Sequence, residues 1–595
     1  MAKAGAYCVA QTARAIARWG VARAAADRRA RRYRRVDREA RRRSFATVAA
    51  SADFALVRAA RPMVTRCTFA FRPRRRSFAA SLLLACGAVV VAACGGGGGS
   101  DAGGAAVIPG PPIDGPAWPG FARDSQHAAQ SAIATQDLSR IAWSTPLDLA
   151  PQRSAGGALL IHYGSPVVTS HNTVVVPVKT GAGGGFRIEA RSGTNGGLIW
   201  SAASDYLLPA HNWVPSYNLA LGAANRLYAP GAGGKLLTRA DADAASGTVD
   251  TIVFYGAAAY AANPAAFDAS VFINTPITVD SQGNVFFGFV AGAANPAGLV
   301  SGIARIGADG VGSWVAASAA AGDVAIAKAA TNSAPALSAD ARTLYVAVNS
   351  APAAGSVQGG YLLALDSATL ATQGKALLLD PATGTRARIS DDATSSPTIG
   401  PDGDVFFGVL ESMFGAHNGR GWLLHFDAAL ATSKVPGSFG WDNTASIVPA
   451  AMVPSYGGGS PYLLMTKYNN YAGIGSGDGL NRVAILDPRA TQPDSISGRP
   501  AMKEVLTMLG PTLEPGSTTA VTEWCINTAA VDPATKSILV NSEDGYLYRW
   551  SLVTNTLTQR IKLTSGIGES YTPTAIGADG AVYAVNNAVL FAIAK

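Results

Sequence analysis

A short phrase, a small residue followed by proline and an apolar strand, returns along this chain at a spacing near sixty residues. That period constrains the fold more than any other feature. Clear copies are Ser165-Pro166-Val167-Val168, Thr275-Pro276-Ile277, Ala334-Pro335-Ala336-Leu337, Ser396-Pro397-Thr398-Ile399 and Thr572-Pro573-Thr574-Ala575. Prolines 276, 335 and 397 stand 59 and 62 residues apart, and the 176 residues from 397 to 573 make nearly three such steps. Weaker copies at 216–221, 446–452 and 528–532 fill the gaps, and Val-Pro-Ser-Tyr occurs at both 214–217 and 453–456. All copies together give eight units. Several run through a turn into a second apolar strand: Asp280-Ser281-Gln282-Gly283 before 285–289, Asp402-Gly403 before 405–409, Asp579-Gly580 before 582–585. Asp-Gly between apolar runs is hairpin chemistry, because the turn needs positive φ. A unit of this size cannot bury its own faces, so the copies must stack on one another.

A second pattern lies one strand later. Ala190-x-Ser192-x-x-Asn195-Gly196-x-x-x-Trp200 and Ala304-x-Ile306-x-x-Asp309-Gly310-x-x-x-Trp314 share one spacing, which Ala364-x-Asp366-x-x-Thr369 and His425-x-Asp427 begin and then leave. This resembles the tryptophan-docking repeat of the pyrroloquinoline-quinone-type β-propellers, Ala-x-Asp-x-x-Thr-Gly-x-x-x-Trp. The resemblance spans residues 117–595. It implies an all-β chain forming an eight-bladed β-propeller, seven blades being the alternative, of four-stranded antiparallel blades. An indole on each outer strand would pack against the next blade. The last unit ends in two strands, 581–585 and 589–593, and has no outer one. Ile141-Ala142-Trp143-Ser144-Thr145-Pro146-Leu147 reads as an orphan outer strand, so residues 139–148 are predicted to complete the last blade and leave no free sheet edge.

Ahead of the repeats, Arg72 and Arg74 to Arg76 precede sixteen largely apolar residues, 78–93, which close as Val91-Ala92-Ala93-Cys94 before five glycines. This is the layout of a secretory signal, and it is shorter than the about 20 residues of a membrane span. The small residues ending in cysteine resemble the lipobox of bacterial lipoproteins, which implies cleavage after Ala93 and acylation of Cys94. Residues 63–93 are thus expected to be signal peptide from Met63, and residues 1–62 a start assigned too early or a disordered leader. Arg75-Arg76-Ser77-Phe78-Ala79 loosely resembles a twin-arginine export signal. Residues 94–116 form a Gly/Ser/Pro tether, a coil of about 25 Å root-mean-square span. Residues 1–76 hold 21 of the 48 basic and four of the 39 acidic residues, so the remainder carries a net −8. The processed chain has no electrostatic footprint for nucleic acid.

The chemistry is sparse. Of five cysteines only Cys525 falls beyond the lipobox, where it is expected as a solitary buried thiol. Quinoprotein dehydrogenases of the resembled superfamily carry a vicinal cysteine pair and acidic Ca²⁺ ligands; this chain has no Cys-Cys. Its six histidines form no His-x-His or His-Glu-x-x-His, so no metal and no cofactor is expected, and no catalytic residue is assigned. His425 reads as a packed strand residue, and Asp241, Asp243, Asp402 and Asp404 as turn formers. One loop is a candidate binding element: Tyr468-Asn469-Asn470-Tyr471, whose aromatic faces and amides suit a sugar or a peptide. Trp524 and the turn Asn541-Ser542-Glu543-Asp544-Gly545 are weaker candidates of the same kind. The resulting expectation is a monomeric, non-catalytic envelope lipoprotein at the outer membrane or periplasmic face. Its propeller would bind an unidentified protein or glycan; the alternative is a quinone binder or other enzyme using the axial channel.

Overall fold

The computed structural model describes residues 113–153, 159, 163–209, 217–351, 357–391, 395–566 and 569–595. Residues 1–112, with the expected leader, signal peptide, Cys94 and nearly all of the tether, lie outside them. Eight antiparallel sheets succeed one another around an axis as the blades of an eight-bladed β-propeller. Each copy of the repeat, clear or weak, supplies an innermost strand: Val167–Val168, Ala220–Leu221, Thr278–Val279, Ala336–Leu337, Thr398–Ile399, Ser446–Pro449, Ala530–Asp532 and Ala575–Ile576. Each pairs antiparallel with the strand that follows its turn. The fifth blade departs from the expected four strands. Its ladder has three, and isolated bridges Leu423↔Gly437 and Phe426↔Ser433 stand where the fourth would run.

Burial explains the sequence pattern. Second strands such as Val405–Val409 are buried throughout and read as continuous apolar runs, whereas the outer strand Thr556–Lys562 alternates between exposed and half-buried positions. In an antiparallel blade the first and third turns fall at one end and the remaining connections at the other. The ring therefore has two unlike faces.

The predicted closure is present. Arg140–Pro146 pairs antiparallel with the final strand Val589–Ala594, in a register running from Arg140↔Ala594 to Pro146↔Val589. Trp143 on this strand docks on the first blade: its Nε1 donates to the Gly193 carbonyl at 2.8 Å. The indole lies on Gly196, whose φ is +72° and where a Cβ would approach the ring within 2.7 Å. Glycine in the repeat thus serves both the turn and the neighbour's tryptophan. Trp200 repeats the arrangement one blade on, donating to the Ala242 carbonyl at 2.8 Å beneath the Arg239 guanidinium.

Residues 115–136 form an element that the repeat pattern does not reveal, a belt around the axis. Its bonds visit the innermost strands in turn. Trp118 exchanges hydrogen bonds with Val168, and the amides of Leu221, Leu337, Ile399, Ile447 and Val531 donate to the carbonyls of Pro119, Ser125, Gln126, Ala128 and Ala129 at 2.7–3.0 Å. Gln136 N then reaches Gly580 in the last blade at 2.8 Å. Only the third blade lacks such a bond among the described residues; there Ile277, Thr278 and Val279 face the belt across a cavity of about 30 Å³. The belt supplies acceptors to strand edges that point at the axis, where unpaired amides would be costly. To turn this way it holds Ala122, Arg123, His127 and Ala129 at positive φ, a strain on the order of 1 kcal/mol or more each.

Two predictions follow from the closure and the belt. Truncating Trp143 to alanine removes the indole that joins the last blade to the first, and is expected to cost about 3–5 kcal/mol in denaturant unfolding. His127 is buried, meets Phe121 edge-on and donates from Nδ1 to the Pro397 carbonyl at 2.6 Å; burial holds its pKa down at about 4. The unfolded chain takes up this proton near pH 6.5 and the folded chain only near 4. Stability from this group is therefore intact above pH 6.5 and falls by about 3 kcal/mol as pH drops to 4. His127→Gln, which keeps a donor, is expected to flatten that slope in denaturation curves at pH 7 and pH 4.5.

Candidate axial site on the face opposite the belt

The belt lies at the end of the ring that carries the first turns of the blades. At the other end, blades six to eight bring together a group of buried charges. Asp442 sits on the connection into the sixth blade, Lys467 near the end of strand Tyr462–Tyr468, and Glu523 on the connection into the seventh blade. Glu543 lies in the turn after Ser537–Asn541, and Glu569 just before the last innermost strand. All five are at least nine-tenths buried. Lys467 Nζ pairs with Asp442 Oδ1 and lies 5.9 Å and 5.7 Å from the rings of Phe439 and Tyr571. Amides fix the frame: Asn527 Nδ2 donates to the Asp442 carbonyl at 3.0 Å and to Tyr571 Oη at 2.8 Å, and Asn443 Oδ1 accepts from Lys467 N at 3.1 Å.

Among the described residues Lys467 is the cation of this group, and its carboxyls are unequally satisfied. Glu569 Oε1 accepts from Tyr571 N at 2.6 Å, but its Oε2, Glu543 Oε2 and Asp442 Oδ2 are buried without a hydrogen bond. Among the described residues these are the only buried carboxyl oxygens left so. Burial raises the pKa of Glu569 to about 8, and burial with the charges of Glu523 and Glu514 pushes that of Glu543 well above its usual range. Burial likewise raises Asp442, against the pull of Lys467. Glu569, with its pKa near 8, can exchange a proton near neutral pH, and the buried carboxyl oxygens beside a lysine and aromatic rings can accept a donor.

The residues read from the sequence meet this site in part. Trp524 is fully buried, Asn469 Nδ2 donates to its carbonyl at 3.2 Å, and Glu543 belongs to the second candidate turn. The loop at 468–471 is knit into the fold. Tyr468 is buried under the Arg420 guanidinium and donates to Glu504 at 2.7 Å, Tyr471 is 2% exposed, and Asn470 bonds Asp478 and Asn418. Neither tyrosine presents a free face to solvent. His425 packs in its strand against Phe406 and bonds Asp404 at 2.8 Å, while Asp241 and Asp243 are turn acceptors. Cys525 is buried, and the other four cysteines lie outside the described residues. Lys467, Asp442 and Glu569 were not readable as a group, because nothing local links one strand residue with residues on two distant connections.

The donor set does not fit the quinone and Ca²⁺ that the resemblance implies. The chain has no vicinal cysteines, and among the described residues no three of His, Cys, Asp and Glu are grouped so as to hold a metal ion.

The raised Glu569 pKa gives a signed expectation. The folded chain keeps a proton that the unfolded chain loses near pH 4.5, so this group destabilises the fold progressively from pH 4.5 to 8, by about 4–5 kcal/mol in all. Glu569→Gln should match the wild type in thermal unfolding at pH 4.5 and exceed it at pH 8.5.

No protein-family model matches the chain, and no curated protein does either. Solved structures do match. A europium-containing methanol dehydrogenase superposes with a TM-score of 0.50 at 11% identity, covering 79% of this chain and 89% of that one. The quinohemoprotein alcohol dehydrogenase of Comamonas testosteroni gives 0.48 at 13% identity, covering 81% of each chain. BamB of Moraxella catarrhalis gives 0.37 at 12%, covering 76% of this chain and 98% of that one. At these identities the similarity is one of fold, the quinone-type β-propeller.

Proposed function

We propose that this chain is a lipid-anchored, non-catalytic protein of the bacterial cell envelope whose propeller presents the face opposite the belt to a binding partner. The observation that carries this reading is the asymmetry of the two faces. The described chain enters at the belt side, where Gly115 N donates to the Ser170 carbonyl at 2.9 Å in a first turn of the first blade. A tether from an acylated Cys94 would therefore hold the belt face toward a membrane. The longer connections 469–481 and 510–529 and the buried charges point the other way. A second reading, an enzyme acting at the axis, draws on Glu569, whose pKa near 8 suits proton exchange near neutral pH.

Two measurements test the reading. Cys94→Ser should move the protein from the membrane to the soluble fraction and remove the acyl mass; retention in the membrane would refute the anchor. Photo-crosslinkers at exposed Asp478 and Thr518, on the presented face, should capture one stoichiometric envelope partner, and those at exposed Gln282 and Asp340, on the belt face, none. The reverse pattern would refute the orientation.

A further inference from the structure

We propose that the axial cluster binds a compact organic cation, an alkylammonium or guanidinium group, through the unpartnered carboxyl oxygens of Glu543 and Glu569. This names a ligand class for the presented face and rests on that reading. Elsewhere among the described residues, buried acids are engaged. Glu411 accepts the amides of Gly415, Gly419 and Gly421 at 2.8–2.9 Å, and Glu189 holds Arg187 and Arg191. Asp494 takes His417, Ser438 and Ser497. Among the described residues only the axial cluster keeps carboxyl oxygens buried without a donor, and such an atom costs free energy until a donor arrives.

The missing donor is best a cation. Lys467 is already paired with Asp442, and among the described residues no other cation pairs with Glu543 or Glu569. A Ca²⁺ or Mg²⁺ ion is a poor fit, since it takes six or more oxygen ligands and no group of three candidate ligands converges among the described residues. An ammonium needs fewer contacts and tolerates aromatic faces. The cluster already holds one such group, Lys467, against Phe439 and Tyr571. Tyr471, also buried, extends the same aromatic wall, its ring centroid 6.3 Å from that of Phe439.

The test is calorimetric titration of the purified full-length protein with 1,4-diaminobutane, with agmatine as the guanidinium probe and CaCl2 in a separate arm. Saturable binding of an amine is expected, weakened by about tenfold or more in Glu543→Gln and in Glu569→Gln. Both variants should keep the wild-type circular dichroism, and Glu569→Gln should gain thermal stability at pH 8.5, which separates lost binding from lost folding. Absence of saturable amine binding, amine binding indifferent to both substitutions, or Ca²⁺ binding with the same dependence on Glu543 and Glu569 would overturn the proposal. If amines fail while Asp478 and Thr518 still crosslink a partner, the ligand class is wrong and the binding face stands. If both fail, both readings fall.

Discussion

Each blade ends, toward the axis, in a strand whose outer neighbour is fixed by its own hairpin and whose inner edge has none. The structure depends on how those inner edges and the one open seam of the ring are satisfied. A single stretch, residues 115–146, does both: it lends carbonyls to the innermost strands of most blades and then supplies the outermost strand of the last. The hydrophobic layers between blades hold neighbouring sheets together, but they say nothing about the edges. Edge amides are directional and obligatory, and this stretch is where they find partners.

The two faces that result are chemically different. On one side the backbone closes on itself, with four residues at strained positive φ and a neutral histidine as a fixed donor. On the other, three buried carboxyl oxygens have no donor among the described residues. Buried ion pairs are weak contributors to stability when desolvation is counted, and buried carboxyls without a donor are unfavourable. A fold that seats its other interior acids with care, yet leaves three such oxygens around Lys467, places an unfavourable group where a ligand would relieve it.

Much of the fold was legible because it repeats. The proline phrases mark the innermost strands of five blades and weaker copies those of the other three, the Asp-Gly turns mark first hairpins, and Trp143 marks the closing strand; each is a local signal with a mechanism. Gly196 shows why the consensus works, since the neighbour's indole occupies the space of its missing side chain. The belt was hidden because alanine, arginine and histidine, not glycine, take up its left-handed positions, and because its partners lie hundreds of residues away. The axial cluster was half visible. Trp524 and the turn containing Glu543 stood out, whereas Lys467, Asp442 and Glu569 are ordinary residues whose meaning comes only from convergence. The Tyr468–Tyr471 phrase misdirects for a related reason: its composition suits recognition, but burial assigns its polar atoms to the fold.

The seam has a further consequence for how the molecule is made. Arg140, near the beginning of the propeller, pairs with Ala594, the penultimate residue. A nascent chain can assemble hairpins and stack blades as they emerge, but its first strand has nothing to bind until the last has left the ribosome. Joining positions so far apart carries an entropic cost that grows with the intervening length and delays the final step. Until then the chain is an open arc with sticky ends, and circular permutation at the seam, which would make that pair adjacent in sequence, should shorten that vulnerable interval.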